Sequence, residues 1–224
     1  MPRVIAGICG GIPLLAPKGD KTRPTADKVK ESLFSILQSQ LEEASFLDLF
    51  AGSGQMGIEA VSRGAARAIL VDASRNSHAV ISKNLEKTRL SAAVSLHRGD
   101  VFRNLTSLGQ KKESFDIVFM DPPYASAVSF AEKAGRLIAE MGILREEGLF
   151  IVEHRTEDTL PENVMNLTLF RRCKYGGTML TFYTDKDYGR REVPEPSAND
   201  DFPGELRSLH SGAYGHSDEG DGVL

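Results

Sequence analysis

From residue 46 onward the chain alternates short apolar runs with stretches of helical period. Residues 46–50, 68–71, 94–97, 115–120 and 149–153 read as strands, and 56–62, 74–88 and 129–141 as helices. Two further strands are expected near 167–172 and 178–184. The strand runs are short and apolar, as in strands buried on both faces. Strand and helix in turn give an α/β fold, a mostly parallel sheet with helices on both sides. Upstream, Val4, Ile5, Ile8, Ile12, Leu14 and Leu15 surround Gly10-Gly11, so residues 3–17 read as a β-hairpin. A polar loop follows over 18–25. Next comes a helix from Thr25 or Ala26 to about Gln40, with Val29, Leu33, Ile36 and Leu37 at helical spacing.

Past Asp185 the pattern stops. Pro, Gly, Ser, Asp and Glu dominate, with too little apolar surface to offset the entropy of ordering. Residues 1–184 are therefore expected to form the domain, with 1–24 as its hairpin and loop extension. Residues 185–224 are expected to be a flexible acidic tail, dispensable for chemistry. The tail holds ten acidic and four basic residues, a net of −6 against −4 for the whole chain, so the remainder carries +2. A mildly basic body suits a nucleic-acid partner. No apolar run is long enough for a bilayer, and Gly10, Gly11, Pro13 and Pro17 break the apolar segment at 4–17 in a way unlike a secretory signal. Cys9 and Cys173 lack metal-ligand spacing and read as reduced thiols of a cytoplasmic protein. No metal is expected.

Candidate chemistry gathers at strand ends, where ligands of such sheets bind. Asp48, Asp72, Asp100 and Asp121 each stand at or near the carboxyl end of an expected strand. After Asp48 comes Phe50-Ala51-Gly52-Ser53-Gly54, a turn feeding a helix, in which Gly52 and Gly54 allow tight backbone angles and close ligand approach. Gly-Ser-Gly-Gln-Met-Gly also has the dinucleotide spacing. Asp48 separates the two readings, because a carboxylate before the turn repels a pyrophosphate and attracts an ammonium or sulfonium. S-adenosylmethionine carries both cations. On that reading Asp48 meets the methionine ammonium, directly or through water. Asp72, twenty residues after Gly52, takes the ribose diol beside Ala73. Asp100 and Val101 take the adenine. Taken alone, each acid is as readily a turn residue or a helix cap.

Asp121-Pro122-Pro123-Tyr124 is the most specific signal in the chain. Two prolines end the strand and stiffen the turn. The Asp121 carboxylate and the Pro122 carbonyl are both acceptors, suited to the two hydrogens of an exocyclic amine, and Tyr124 can stack on the attached base. A nucleobase amine is a weak nucleophile because its lone pair is delocalised into the ring. Acceptors that polarise its N–H bonds make that lone pair available for attack on a sulfonium methyl, and positioning does the rest.

Asp48-Leu-Phe-Ala-Gly-Ser-Gly together with Asp121-Pro-Pro-Tyr resembles the amino-group methyltransferases that use S-adenosylmethionine. Three further stretches narrow the resemblance: Arg3-Val-Ile-Ala-Gly, Arg23-Pro-Thr-Ala-Asp-Lys-Val-Lys-Glu-Ser-Leu-Phe and Gly57-Ile-Glu-Ala-Val-Ser-Arg-Gly-Ala. They are similar to the bacterial family that methylates N2 of a guanine in small-subunit ribosomal RNA. Over residues 3–184 the resemblance implies a Rossmann-like, seven-stranded domain whose N-terminal hairpin helps hold RNA. The implied substrate is the assembled or partly assembled small subunit. The hairpin departs from the family pattern, since Ile8-Cys9-Gly10-Gly11-Ile12 has no basic residue. So does Tyr175-Gly176-Gly177-Thr178, where a Tyr-Gly-Asp-Thr-like stretch is expected, and the acidic tail has no family counterpart.

Lys18, Lys21, Arg23 and Lys28 are the candidate phosphate contacts, and ordinary surface charge accounts for each one equally well. His97, Arg98, His154 and Arg155 fall near the expected mouth, with both imidazoles read as surface histidines. Other readings stay open at this point. The acceptor amine could belong to adenine or cytosine in DNA or RNA, although a DNA enzyme usually carries a recognition domain for which this chain has no room. A nicotinamide oxidoreductase and a non-catalytic RNA-binding protein rank lower. Nothing in the chain demands more than a monomer.

Overall fold

The structure, a computed structural model, describes residues 2–17 and 24–185. The loop bearing Lys18, Lys21 and Arg23, and the expected tail after Asp185, lie outside the described residues. The helices are α1 (Pro24–Ile36), α2 (Gln55–Ser62), α3 (Arg75–Thr88), α4 (Val101–Gln110) and α5 (Ala127–Glu140). The strands are β1 (Ser45–Leu49), β2 (Arg67–Asp72), β3 (Val94–Arg98), β4 (Phe115–Met120), β5 (Leu144–Arg155), β6 (Asn163–Val164), β7 (Leu167–Tyr175) and β8 (Thr178–Thr184).

All eight strands form one sheet in the order β3-β2-β1-β4-β5-β8-β7-β6. The first five in that order run parallel and the rest pair antiparallel. The expected sheet of seven strands is therefore present, with the two-residue β6 added at one edge. Successive strand residues face opposite layers. Phe46, Leu70, Phe119 and Ile151 pack with Leu33 of α1, Ile58 of α2 and Ile81 of α3. Leu47, Val71, Met120 and Val152 pack with Leu105 of α4 and Ile138 of α5. Double-sided burial is what made the strand runs apolar. The strand order switches direction between β1 and β4, where a crevice must open. Leu49 and Met120 are register partners there, so the chain leaves the sheet at Phe50 and Asp121 side by side.

The N-terminal hairpin is not the regular ladder expected. Val4 N donates to Ile12 O at 2.9 Å and Gly11 N to Val4 O at 2.8 Å, around a single antiparallel bridge between Arg3 and Pro13. Leu14 N also donates to Pro2 O at 2.7 Å, but four other amides go to α2 instead. Ile5 N and Ala6 N reach the Glu59 carboxylate at 2.7 and 3.0 Å, Cys9 N reaches Ser62 Oγ at 2.9 Å, and Ile8 N reaches Ser62 O at 2.8 Å. Gly7 lies at φ +81°, and a Cβ there would stand 1.7 Å from Ser62 O, so this docking excludes any larger residue. Glu59 is fully buried and pairs with Arg63 Nε at 2.7 Å and Lys30 Nζ at 3.6 Å. Two cations and two backbone amides offset the desolvation of that carboxylate.

Helix α4 was not expected. Val101, Phe102, Leu105 and Leu108 form its buried stripe, and Asp100, read as a ligand acceptor, caps it by accepting from Arg103 N at 3.0 Å. Cys9 and Cys173 are buried and form no disulfide. Among the described residues no helix is long and apolar enough to cross a membrane.

Candidate active site

The wholly buried strand β1 delivers Asp48 to the α2 side of the sheet. There Asp48 Oδ2 accepts from Gly57 N at 3.3 Å. The helix can come this close because residue 57 is glycine; a Cβ would stand 2.2 Å from Leu70 Cδ2. The turn that follows is held from several sides. Ala51 N donates to Val71 O at 3.0 Å, Gly52 N to Asp72 Oδ2 at 2.8 Å, and Asn84 Nδ2 to Ser53 O at 2.9 Å. Asn84 also exchanges hydrogen bonds with Leu15 N and O, at 2.8 and 3.0 Å, and so ties the N-terminal segment to the glycine turn. Gly54 enters α2 at φ +76°. Phe50 lies at φ +68°, a left-handed value rare for a bulky residue and typical of functional sites. Its ring stacks on Phe130 at 5.8 Å, and Phe130 meets Phe102 edge-on at 5.1 Å. This aromatic row holds the strained residue in place.

Asp72 ends β2 with both oxygens engaged, Oδ2 by Gly52 N and Oδ1 by Ser74 N at 2.7 Å. Each oxygen keeps a further lone pair for a ligand hydroxyl. At the end of β4, Pro122 is buried, while Asp121, Pro123 and Tyr124 are exposed. The Arg155 guanidinium carbon lies 4.8 Å from the Tyr124 ring centre.

Two cavities meet at Asp121. The larger, about 380 Å³, is lined by Phe50, Asp72, Asp121, Pro122, Pro123 and Tyr124. The smaller, about 60 Å³, is lined by Lys30, Gln55, Met56, Phe119, Asp121 and Glu153. Among the described residues, two carboxylates and no basic side chain line the larger one. Behind it, burial pushes the Asp48 carboxyl well above the usual carboxylate range. The Gly57 N–H partly opposes that rise, and Asp121 and Asp72 add to it. Burial, then the Asp121 charge, pushes Glu153 up to about 8. Acids crowded this way suit a cationic ligand and not a pyrophosphate.

The structure thus brings Phe50, Asp72 and residues 121–124 to one cavity, with Asp48 and the turn 51–54 beside it. Ala73 is exposed beside Asp72. Asp100 lies outside both cavities as the α4 cap, and Val101 is buried in the α4–α5 layer. Lys28 is exposed on α1. His154 is not a surface residue. It is 2% exposed, and its Nε2 lies 2.7 Å from Thr181 Oγ1. Lys30, Gln55 and Glu153 were not among the site residues expected from the sequence. Glu153 carried the same signal as the other acids, an acidic residue closing an apolar strand.

The model of the family described as Conserved hypothetical protein 95 matches residues 2–184. The chain belongs to that family. The relatives it resembles include YlbH of Bacillus subtilis (strain 168), named as a candidate rRNA methyltransferase, at 39% identity over 81% of this chain and 97% of that protein. Ribosomal RNA small subunit methyltransferase D of Escherichia coli (strain K12) is 33% identical over 85% of this chain and 93% of its own length. Among solved structures, yhhF of Escherichia coli, a candidate methyltransferase, superposes with a TM-score of 0.72 at 34% identity, covering 81% of this chain and 96% of that one. Family and fold agree with the Rossmann-like methyltransferase resemblance and leave no ground for the oxidoreductase reading.

Proposed function

We propose that this chain methylates the N2 amino group of a guanine in small-subunit ribosomal RNA, with S-adenosylmethionine as the methyl donor. The observation that carries the reading is the position of Asp121, which lines both cavities at the end of β4. An amine lying against it faces the carboxylate-lined cavity on one side and a small polar pocket on the other.

Asp48, Asp72, Phe50 and the turn 51–54 would hold the donor. The buried Asp48, its carboxyl held well above the usual carboxylate range, fits a cation, and the Asp72 oxygens fit a diol. When bound, the donor would supply an electrophilic sulfonium methyl to the amine nitrogen, with the C–S electron pair staying on sulfur and one amine proton released. Asp121 and the Pro122 carbonyl accept the two amine hydrogens and fix the direction of the nitrogen lone pair. Tyr124, backed by Arg155, stacks on the base. The base must be turned out of its stack to reach this pocket. Lys28, exposed on α1, would contact phosphates, and the substrate would be an assembled or partly assembled subunit met by a monomer.

The test is mass mapping of methylated nucleosides in small-subunit RNA from cells with and without this protein. One N2-methylguanosine is expected to vanish when the protein is absent. Loss of an N6-methyladenosine instead would overturn the choice of base.

A further inference from the structure

We infer that Glu153 and Gln55 read the ring edge of the target base and make the pocket selective for guanine. This rests on the guanine-N2 reading above and names the residues that enforce it.

The small cavity lies on the α1–α2 side of Asp121, with room for the polar edge of a heterocycle and not for a whole nucleoside. Its polar groups divide by chemistry. Lys30 is 2% exposed, and its ammonium is already committed to Arg3 O, to Glu59 at 3.6 Å and to Gln55 Oε1 at 3.4 Å. An ammonium can only donate, so it engages the carbonyl end of the Gln55 amide and leaves the NH₂ end as the donor of the cavity. Glu153 makes no hydrogen bond or ion pair with any described residue, and the charge that acts on it is that of Asp121. Among the described residues the cavity therefore presents Gln55 as a donor and Glu153 as an acceptor, beside Asp121.

Guanine carries the complementary set, an O6 acceptor, an N1–H donor and the N2 amine. With the amine on Asp121, N1–H can point at Glu153 and O6 at Gln55. Adenine and cytosine have a ring-nitrogen lone pair beside the amine, and that lone pair would face the Glu153 carboxylate. A site built around a hydrogen bond discriminates strongly against a base lacking the matching group, because its own polar atoms are then left unpaired. Burial and then the Asp121 charge raise the Glu153 pKa to about 8, and an N1–H placed against the group favours its ionised form, which only accepts.

The test uses small-subunit RNA in which the mapped guanine is replaced by 2-aminopurine, which keeps the 2-amino group but lacks N1–H and O6. Methyl transfer is measured against the guanine RNA for the wild-type protein, Glu153→Ala and Glu153→Gln, with donor affinity and thermal midpoint recorded for each. The wild type should prefer guanine by about tenfold to a hundredfold, the range for a lost hydrogen bond to a charged group. In Glu153→Ala the preference should shrink about tenfold, with donor affinity unchanged. Glu153→Gln, of matching volume, carries the same test if the alanine variant does not fold, and should shrink the preference less because one acceptor oxygen remains. A wild type that does not discriminate, or a folded variant that discriminates as well as wild type, overturns the inference. If the wild type forms no N2-methylguanosine on guanine RNA, the failure lies in the function proposed above and not in the role of Glu153.

Discussion

The Arg155 guanidinium lies 4.8 Å from the centre of the Tyr124 ring, so the end of β5 supports the aromatic residue that closes the Asp-Pro-Pro-Tyr turn. Arg155 also pairs with Glu157 at 3.1 Å, and its side chain is half exposed. A cation over an exposed ring contributes about 0.5–1 kcal/mol. Arg155→Ala should therefore raise KM for the RNA about two- to fivefold. Steady-state kinetics with each substrate varied in turn would check this, and an effect confined to donor affinity would count against it.

Asp48→Asn should stabilise the free protein while weakening its binding of S-adenosylmethionine. The folded state raises the Asp48 pKa above its unfolded value near 3.8. Above that value the unfolded chain releases a proton that the native state keeps, so stability falls as pH rises toward the folded pKa. The asparagine variant keeps an acceptor for Gly57 N and cannot ionise. Its melting temperature at neutral pH should exceed that of wild type, with a flatter pH dependence. Donor affinity should fall about tenfold or more, as for a lost charged contact. Melts across pH, with and without donor, read both effects.

Glu59→Ala should be among the most destabilising single changes. It strands the buried Lys30 ammonium, frees Arg63 and leaves the amides of Ile5 and Ala6 without their acceptor. Breaking a buried ion pair from one side costs about 3–5 kcal/mol. Adding Lys30→Met to Glu59→Gln should recover part of the loss, because no unpaired charge then remains on that side. Urea denaturation of the three variants measures both quantities.

Asp121→Ala should reduce methyl transfer about 10²–10³-fold, the range for losing one preorganised polar group. Donor affinity should change little, since Asp72 and the turn 51–54 keep their own hydrogen bonds. Single-turnover assays beside equilibrium binding separate these outcomes. Unimpaired transfer would remove Asp121 from the mechanism.

Sequence alone settled the class of fold, the central strands and the acids at their ends. Those features depend on side-chain period and on chain punctuation, which act over a few residues. Asp121-Pro-Pro-Tyr could be read for the same reason, since prolines constrain their own backbone wherever they stand. Helix α4 escaped because its buried stripe follows an Asp that suited a ligand as well as a cap, and a local pattern cannot choose between the two. Only the tertiary structure sent the amides of Ile5 and Ala6 to a carboxylate more than fifty residues away, and so replaced a hairpin ladder with docking on α2. It alone placed Lys30, Gln55 and Glu153 around one small cavity. Burial and long-range pairing decide which charges are desolvated and whom they face. They arise from the packing of distant segments, so no window of neighbouring residues contains them.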